Sequence, residues 1–593
     1  MADADSPGFP TDAQPAGRPR MALGSPSGLP TPRPWEAIPF VVFGVLCVLT
    51  WKRWLLPFQD HPRELMTATR LADGEVLYLD VGTLYGPLPP YLDALALQLF
   101  GRHLDVFLTL RCLVALLGIA ALGRLARRLF PDASTAGTAV ALVVAACFFC
   151  YGSPWVFPYS VAALEGTVLL LWALELALSS SSPSASLAAG LLAGLGAGTK
   201  IEFFPAALLV PGPALLVRRP RREAATALGL AAFVSAVSLG GPILLAGLDA
   251  VTRHGYLIAL RNPEPFQRVQ ELILFGGMTR QEFLAGGFVG VLFPSALFVA
   301  AAALVVRHGT WKLPGGTAAA FALGLAGLAV PRNEELSLLL PLAAVVAAAD
   351  VVRLARAPDR ATSAALATAC VGLTMALSLW RQPFFLRIGV YTAFSGPLAL
   401  LLALAFLARG AVPARVVALC AGLTLAQGVD RWTDFHTFPM RRLSFPRGSY
   451  LLPEEPASLV ESSVALIRRL SSPGSRVWAW PEPGFLTFFG ERRSTFVDEQ
   501  FYPGQQGPAS EAEMLARLAA APPDLVFVTN RAVREFGVGP FGAGTLDGVA
   551  AALRRQMRPV ARVGPAGPIP GLGMATDAIV LAPLGSAAPP MTR

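Results

Sequence analysis

The chain predicts a mainly α, polytopic membrane protein that ends in a smaller α/β domain. Of its 593 residues, 54% are hydrophobic and only 15% charged, with a mean hydropathy of +0.54. That balance is too apolar for an ordinary soluble protein. The apolar residues gather into runs long enough to span a bilayer as helix, which takes roughly 17 to 25 residues. After about residue 430 these runs stop, and short β-rich segments alternate with amphipathic helical ones.

Residues 1–34 hold eight prolines and little apolar content, which predicts a disordered cytoplasmic tail. The first apolar run lies too deep for a cleaved signal and reads as an uncleaved anchor. Residues 35–429 form the transmembrane region, with candidate spans near 38–56, 105–123, 135–152, 158–178, 185–199, 201–217, 224–247, 284–306, 313–330, 335–351, 361–380, 388–408 and 411–428. This amounts to about thirteen crossings. With the N-terminus in the cytoplasm, the connections holding Arg124, Arg127 and Arg128, then Arg218, Arg219, Arg221 and Arg222, then Arg307 and Lys312, then Arg353, Arg356 and Arg360 all face inward. The positive-inside rule favours that orientation. An odd number of crossings then puts the first loop, 57–104, and the region 430–593 outside the cytoplasm.

A net charge of +9 brings nucleic acid to mind, but the arginines are scattered between apolar spans, where topology accounts for them. No nucleic-acid partner is expected. Only Lys52, Lys200 and Lys312 are lysines, and this Arg-, Ala- and Gly-rich usage suggests a bacterial source, hence an inner membrane. The six cysteines all lie in or beside apolar runs, so no disulfide framework is implied. The Cys147-x-x-Cys150 pair has no nearby partners to complete a metal site and reads as packing.

The first loop is the acidic segment next to the membrane. Its PRELMTATRLADG stretch has apolar residues at helical spacing, predicting an amphipathic helix along the membrane surface that ends near Gly74. EVLYLDVGTLYGPLPPY follows as an extended, Pro-rich segment leading to a short helix around Leu92–Phe100. In 430–593, RVWAW, DLVFVT and AIVLAP read as strands, and ASLVESSVALIRRL and TLDGVAAALRRQ as helices.

Asp60 and Glu64 stand four residues apart, near His61, and Asp80 returns from the extended segment. Taken alone, these are equally a helix N-cap and a solvated loop acid. The order Asp60, Gly74, Tyr78, Asp80, then GPLPPY and the Leu99–Gly101 LFG, resembles the first loop of GT-C membrane glycosyltransferases, especially the protein O-mannosyltransferase and aminoarabinose-transferase branch. PEPGFLTFFGERR at 481–493 resembles a loop of their outer domains. One departure is that the family's Asp-Glu pair is Asp60-His61 here, so a supporting carboxylate comes from Glu64 or Asp80, or is absent.

The resemblance implies a GT-C-type bundle and transfer of a sugar from a polyprenyl-phosphate-linked donor to a glycan, lipid or protein hydroxyl on the outer face. Inversion at the anomeric carbon and Asp60 as general base are part of that expectation, since a positioned carboxylate can take the proton of a poor hydroxyl nucleophile. Lys200 in GTKIEFFP and Arg332 in PRNEELSLLLP are the candidates for the donor phosphate, with Arg261 from the RHGYLIALRNPEPF stretch. Each has a plainer reading beside it: Lys200 as the salt-bridge partner of Glu202 or an ordinary loop charge, Arg332 as neutralised by Glu334 or Glu335, and the Arg261 stretch as an amphipathic interfacial helix. His61, Tyr85 and Glu334 are candidate substrate contacts. The carboxylates and five histidines allow a divalent metal, but no ligand spacing requires one, and no cofactor is assigned. Two other readings share these features: a lipid or sugar-phosphate transporter, and a catalytically inactive GT-C-like scaffold. The chain lacks the internal repeat that a transporter of symmetrical halves would show.

Overall fold

The computed structural model describes most of residues 34–261, then 371, 396–408 and most of 439–585. The chain begins with α1 (Pro34–Thr50), α2 (Asp60–Ala72), α3 (Leu88–Phe100), α4 (Leu104–Leu129) and α5 (Ala133–Val143), the last prolonged by a π-helical turn over Val144–Phe148. It continues with α6 (Val161–Ser179), α7 (Pro183–Ala197), α8 (Phe203–Leu209), α9 (Gly212–Arg218), α10 (Arg221–Ala246), α11 (Leu248–His254), α12 (Ile258–Arg261) and α13 (Gly396–Ala408). By length and composition α4, α6 and α10 can cross a membrane, and α1, α5 with its π turn, α7 and the α8–α9 pair are shorter apolar helices. The span expected at 201–217 is split at Val210 and Pro211, where proline supplies no N–H to continue the helix. The spans expected from 284 to 380 and at 411–428 lie outside the described residues, apart from Val371.

The two ends of this bundle carry different charge. At one end Glu36 of α1 pairs with Arg127 of α4 at 3.0 Å, and Glu175 of α6 pairs with Arg124 at 3.1 Å and Arg128 at 3.0 Å. Arg219 donates to the Leu176 carbonyl at 3.3 Å, bringing the α9–α10 arginines to the same end. Between the ends, Arg111 of α4 is wholly buried and pairs with both Asp93 of α3 and Glu165 of α6. A buried cation with two acids holds these three helices in one register, because removing any member leaves charge uncompensated.

The C-terminal region starts with a hairpin, β1 (Met440–Phe445) and β2 (Gly448–Pro453), followed by α14 (Glu454–Leu470), β3 (Arg476–Trp480), α15 (Gly484–Gly490) and β4 (Arg493–Ser494). Then come α16 (Glu511–Ala520), β5 (Leu525–Thr529), α17 (Asp547–Gln556), β6 (Met557–Val563) and β7 (Ala578–Pro583). The sheet order is β4-β3-β5-β7-β6. β3 runs parallel to β4 and β5, and β7 antiparallel to β5 and β6. A parallel neighbour needs a crossover, which α16 supplies between β3 and β5. Trp478 and Trp480 are buried with Phe496, Phe501 and Met514 in one of the apolar clusters beside the sheet.

This region docks on the end of the bundle opposite the arginines. Leu451 N donates to the Lys52 carbonyl at 2.9 Å and Leu104 N to Arg447 O at 2.8 Å. Lys52 Nζ bonds Ser449 Oγ at 3.0 Å and pairs with Asp105 at 2.6 Å. α15 lies against α2, where a Cβ on Gly484 would collide with Pro62. The structure thereby corrects the expectation of a helix lying along the membrane surface: His61 through Ala72 are all buried within the protein. The polar side of α2 meets protein partners, Arg70 above all, instead of water.

Candidate active site

The first loop is fastened from both sides. α2 stops before Gly74, whose φ of +94° suits a residue without Cβ. Arg70 donates to the carbonyls of Phe496 at 2.8 Å, Val497 at 3.3 Å and Asp80, and pairs with Glu75 at 2.6 Å. Tyr78, buried at φ +67°, donates from its hydroxyl to Tyr85 O at 2.6 Å and packs edge-on against Tyr256 at 5.7 Å. Burial pushes the Tyr78 hydroxyl well above its ordinary pKa and raises that of Tyr256 to about 12. Both remain protonated donors at any physiological pH. Gly86 N bonds Thr199 O at 2.9 Å and Leu88 N bonds Gly198 O at 3.2 Å. A Cβ on Gly86 would overlap the Gly198 carbonyl oxygen, so glycine is what allows this approach.

That stitching brings Tyr85 to the turn carrying Lys200. The Lys200 ammonium lies 5.5 Å from the Tyr85 ring centroid and the Arg63 guanidinium 4.9 Å from it. Arg63 is 1% exposed. Two cations from distant parts of the chain therefore meet at one aromatic ring at the loop end of the bundle. Each gains from the ring's negative face. A phosphate has the charge and acceptor oxygens to meet both.

The other expected residues take varied positions. Asp60 is the first residue of α2, three positions before Arg63. His61 donates from Nε2 to Pro158 O at 2.7 Å and packs against Phe157 at 4.2 Å, which fixes its ring in the core. The Glu64 carboxylate, also buried, accepts from Val161 N at 3.2 and 3.3 Å. It thus meets the positive N-terminal end of α6. Asp80 is exposed and accepts from Val76 N at 2.8 Å, closing its own turn. Arg261 ends α12, and Arg332 and Glu334 lie outside the described residues. Arg63 was not among the residues singled out in the sequence, although its place between His61 and Glu64 was a signal for it. Glu165 and Glu175, acids within apolar spans, are taken up by the Arg111 and Arg124–Arg128 pairs. Among the described residues, no group of three or more His, Cys, Asp or Glu side chains is placed to hold a metal ion.

Residues 85–241 match the family model described as dolichyl-phosphate-mannose-protein mannosyltransferase. The match opens on Tyr85 and includes Lys200. No curated protein matches the chain. Among solved structures the chain is similar to an Archaeoglobus fulgidus oligosaccharyltransferase in complex with zinc and sulfate, at 13% identity over 84% of this chain and 68% of that one, TM-score 0.43. It is also similar to ArnT from Cupriavidus metallidurans bound to undecaprenyl phosphate, at 15% identity over 94% and 99%, TM-score 0.40. A mycobacterial arabinofuranosyltransferase, AftD, is similar at 16% identity over 93% of this chain and 41% of that one, TM-score 0.41. The likeness to GT-C glycosyltransferases read from the first loop thus extends, through the family match, into the helices that follow it.

Proposed function

We propose that this chain is a GT-C-type membrane glycosyltransferase that moves a sugar from a polyprenyl-phosphate carrier to an acceptor hydroxyl, with inversion. The observation that carries the reading is the meeting of Arg63 and Lys200 at the Tyr85 ring, at the end of the bundle where Asp60 opens α2. In the reaction, the acceptor oxygen attacks the anomeric carbon as the bond from that carbon to the phosphate oxygen breaks. Asp60 takes the hydroxyl proton. The carrier phosphate leaves with the bonding electron pair, and Arg63 and Lys200 neutralise the charge it gains, an interaction that strengthens toward the transition state.

Glu64 takes the supporting role: it anchors the start of α6 to α2, the helix on which Asp60 and Arg63 stand. Asp80 shapes the loop and stays out of the chemistry. The family's description names a lipid-phosphate-linked donor, which is the chemistry that a pair of cations at a membrane end suits. The opposite, arginine-rich end supports a cytoplasmic assignment for that side and an extracytoplasmic one for the site and C-terminal region, in a bacterial inner membrane. An Asp60→Asn variant in reconstituted membranes tests the base: transfer should vanish while undecaprenyl phosphate still binds. Wild-type turnover in that variant would remove Asp60 from the mechanism.

A further inference from the structure

A second buried cluster lies beside this site and takes no part in the steps above. His254 Nδ1 donates to the fully buried Asp498, at 3.0 Å from each carboxylate oxygen. Its Nε2 is 3.1 Å from a guanidinium nitrogen of Arg517. Guanidinium only donates, so Nε2 accepts and Nδ1 carries the hydrogen. Arg517 also pairs with Glu513 at 2.8 Å and approaches Asp498 at 3.7 Å. Arg253 reaches Asp249 at 2.8 Å and Glu513 at 3.5 Å. With both ring nitrogens engaged, His254 is a fixed joint, uniting α11, the stretch after β4 and α16.

The joint presses directly on the first loop. Gly82 N donates to Val497 O at 2.8 Å and Thr83 N to His254 O at 2.9 Å. A Cβ on Gly82 would come 2.6 Å from Asp498 Oδ1 and 3.1 Å from His254 O, so the backbone lies flush on the pair. Tyr85 follows in the same segment, held by Tyr78, whose ring rests on Tyr256 just beyond His254. We propose that Asp498, His254 and Arg517 are positioning residues through which the C-terminal region sets the Gly82–Tyr85 segment and, with it, affinity for the carrier phosphate. This rests on the reading of the Arg63–Tyr85–Lys200 cluster as the phosphate seat. Small displacements of a binding group are costly because charge-assisted bonds depend on distance and direction.

The test is titration of detergent-solubilised full-length protein with undecaprenyl phosphate, and in parallel with undecaprenol, which lacks the phosphate. Asp498→Asn, His254→Ala and Gly82→Ala should each weaken undecaprenyl phosphate binding roughly tenfold, the scale of one lost or misaligned bond. Undecaprenol binding should not move, and His254→Asn, which keeps a donor toward Asp498, should fall between. Gly82→Ala decides the matter if the charged variants fail to fold, since it removes no bond of the joint. Wild-type phosphate binding in Gly82→Ala and Asp498→Asn, alongside weakened binding in Lys200→Met, overturns the positioning role and leaves the seat standing. Equal loss for undecaprenol and its phosphate also overturns it, as general loosening. Wild-type binding in Lys200→Met removes the seat, and the positioning role with it.

Discussion

Replacing Lys200 with Met should weaken the protein's hold on undecaprenyl phosphate. The Lys200 ammonium lies 5.5 Å from the Tyr85 ring centroid and the Arg63 guanidinium 4.9 Å from it. At an effective dielectric of about 20, a cation attracts a unit negative charge about 5 Å away by about 3.3 kcal/mol. Solvent screens part of that attraction from this half-buried ammonium. Binding should weaken between about tenfold and 200-fold, the upper figure being the unscreened attraction. Titration of wild type and variant with undecaprenyl phosphate, at low and high salt, measures the effect. The difference should shrink as salt rises, because the Debye length falls from about 10 Å at 0.1 M to about 3 Å at 1 M. A variant that binds the carrier within threefold of wild type at low salt would refute the reasoning.

Arg111→Met should be the most destabilising single change in the bundle, by about 3–5 kcal/mol, because it strands two buried acids. Adding Asp93→Asn and Glu165→Gln should restore most of the loss, as detergent-melting curves will show. Gly86→Ala should push the loop off the Gly198 carbonyl, lower the melting temperature and weaken undecaprenyl phosphate binding, and wild-type affinity would argue against a fixed loop. Asp132, the N-cap of α5, is held by bonds from the Ser134 hydroxyl and from Thr135 at a pKa of about 2, below its ordinary 3.8. A depressed carboxyl pKa contributes stability above about pH 4 that disappears as pH falls toward 2. Wild type should therefore resist proteolysis near residue 132 better than Asp132→Ala at neutral pH, and the difference should close below about pH 2.

Much of the fold was legible because its signals are local. Apolar runs announced the helices of the bundle, and RVWAW, DLVFVT and AIVLAP fell on β3, β5 and β7, the first two buried almost throughout and the last alternating along the strand. Gly74 marked the end of α2 to within two residues. The site was harder to read, since it depends on residues far apart in the chain. Nothing near Lys200 tells that Gly198 and Thr199 receive the bonds of Leu88 and Gly86, and nothing near Arg63 tells that its guanidinium settles on Tyr85. The amphipathic pattern of α2 was read correctly as a helix and incorrectly as one lying along the membrane surface. A polar stripe looks the same whether it meets water or the carbonyls of Phe496 and Val497. His254, within the stretch that supplied Arg261 as a candidate, acquires its meaning from Asp498, on the far side of the sequence.

The bond from Leu451 N to the Lys52 carbonyl also sets an order of events during synthesis. The exit of α1 leaves the ribosome roughly 400 residues before the strand that completes it, a delay of about 20 to 80 s at 5–20 residues per second. Throughout that interval Lys52, Pro62 and the Arg70 donors wait for the hairpin, Gly484 and the Phe496–Val497 carbonyls. A nascent or prematurely terminated chain therefore lacks a finished loop end, and the proposed sugar transfer would become possible only with the last quarter of translation.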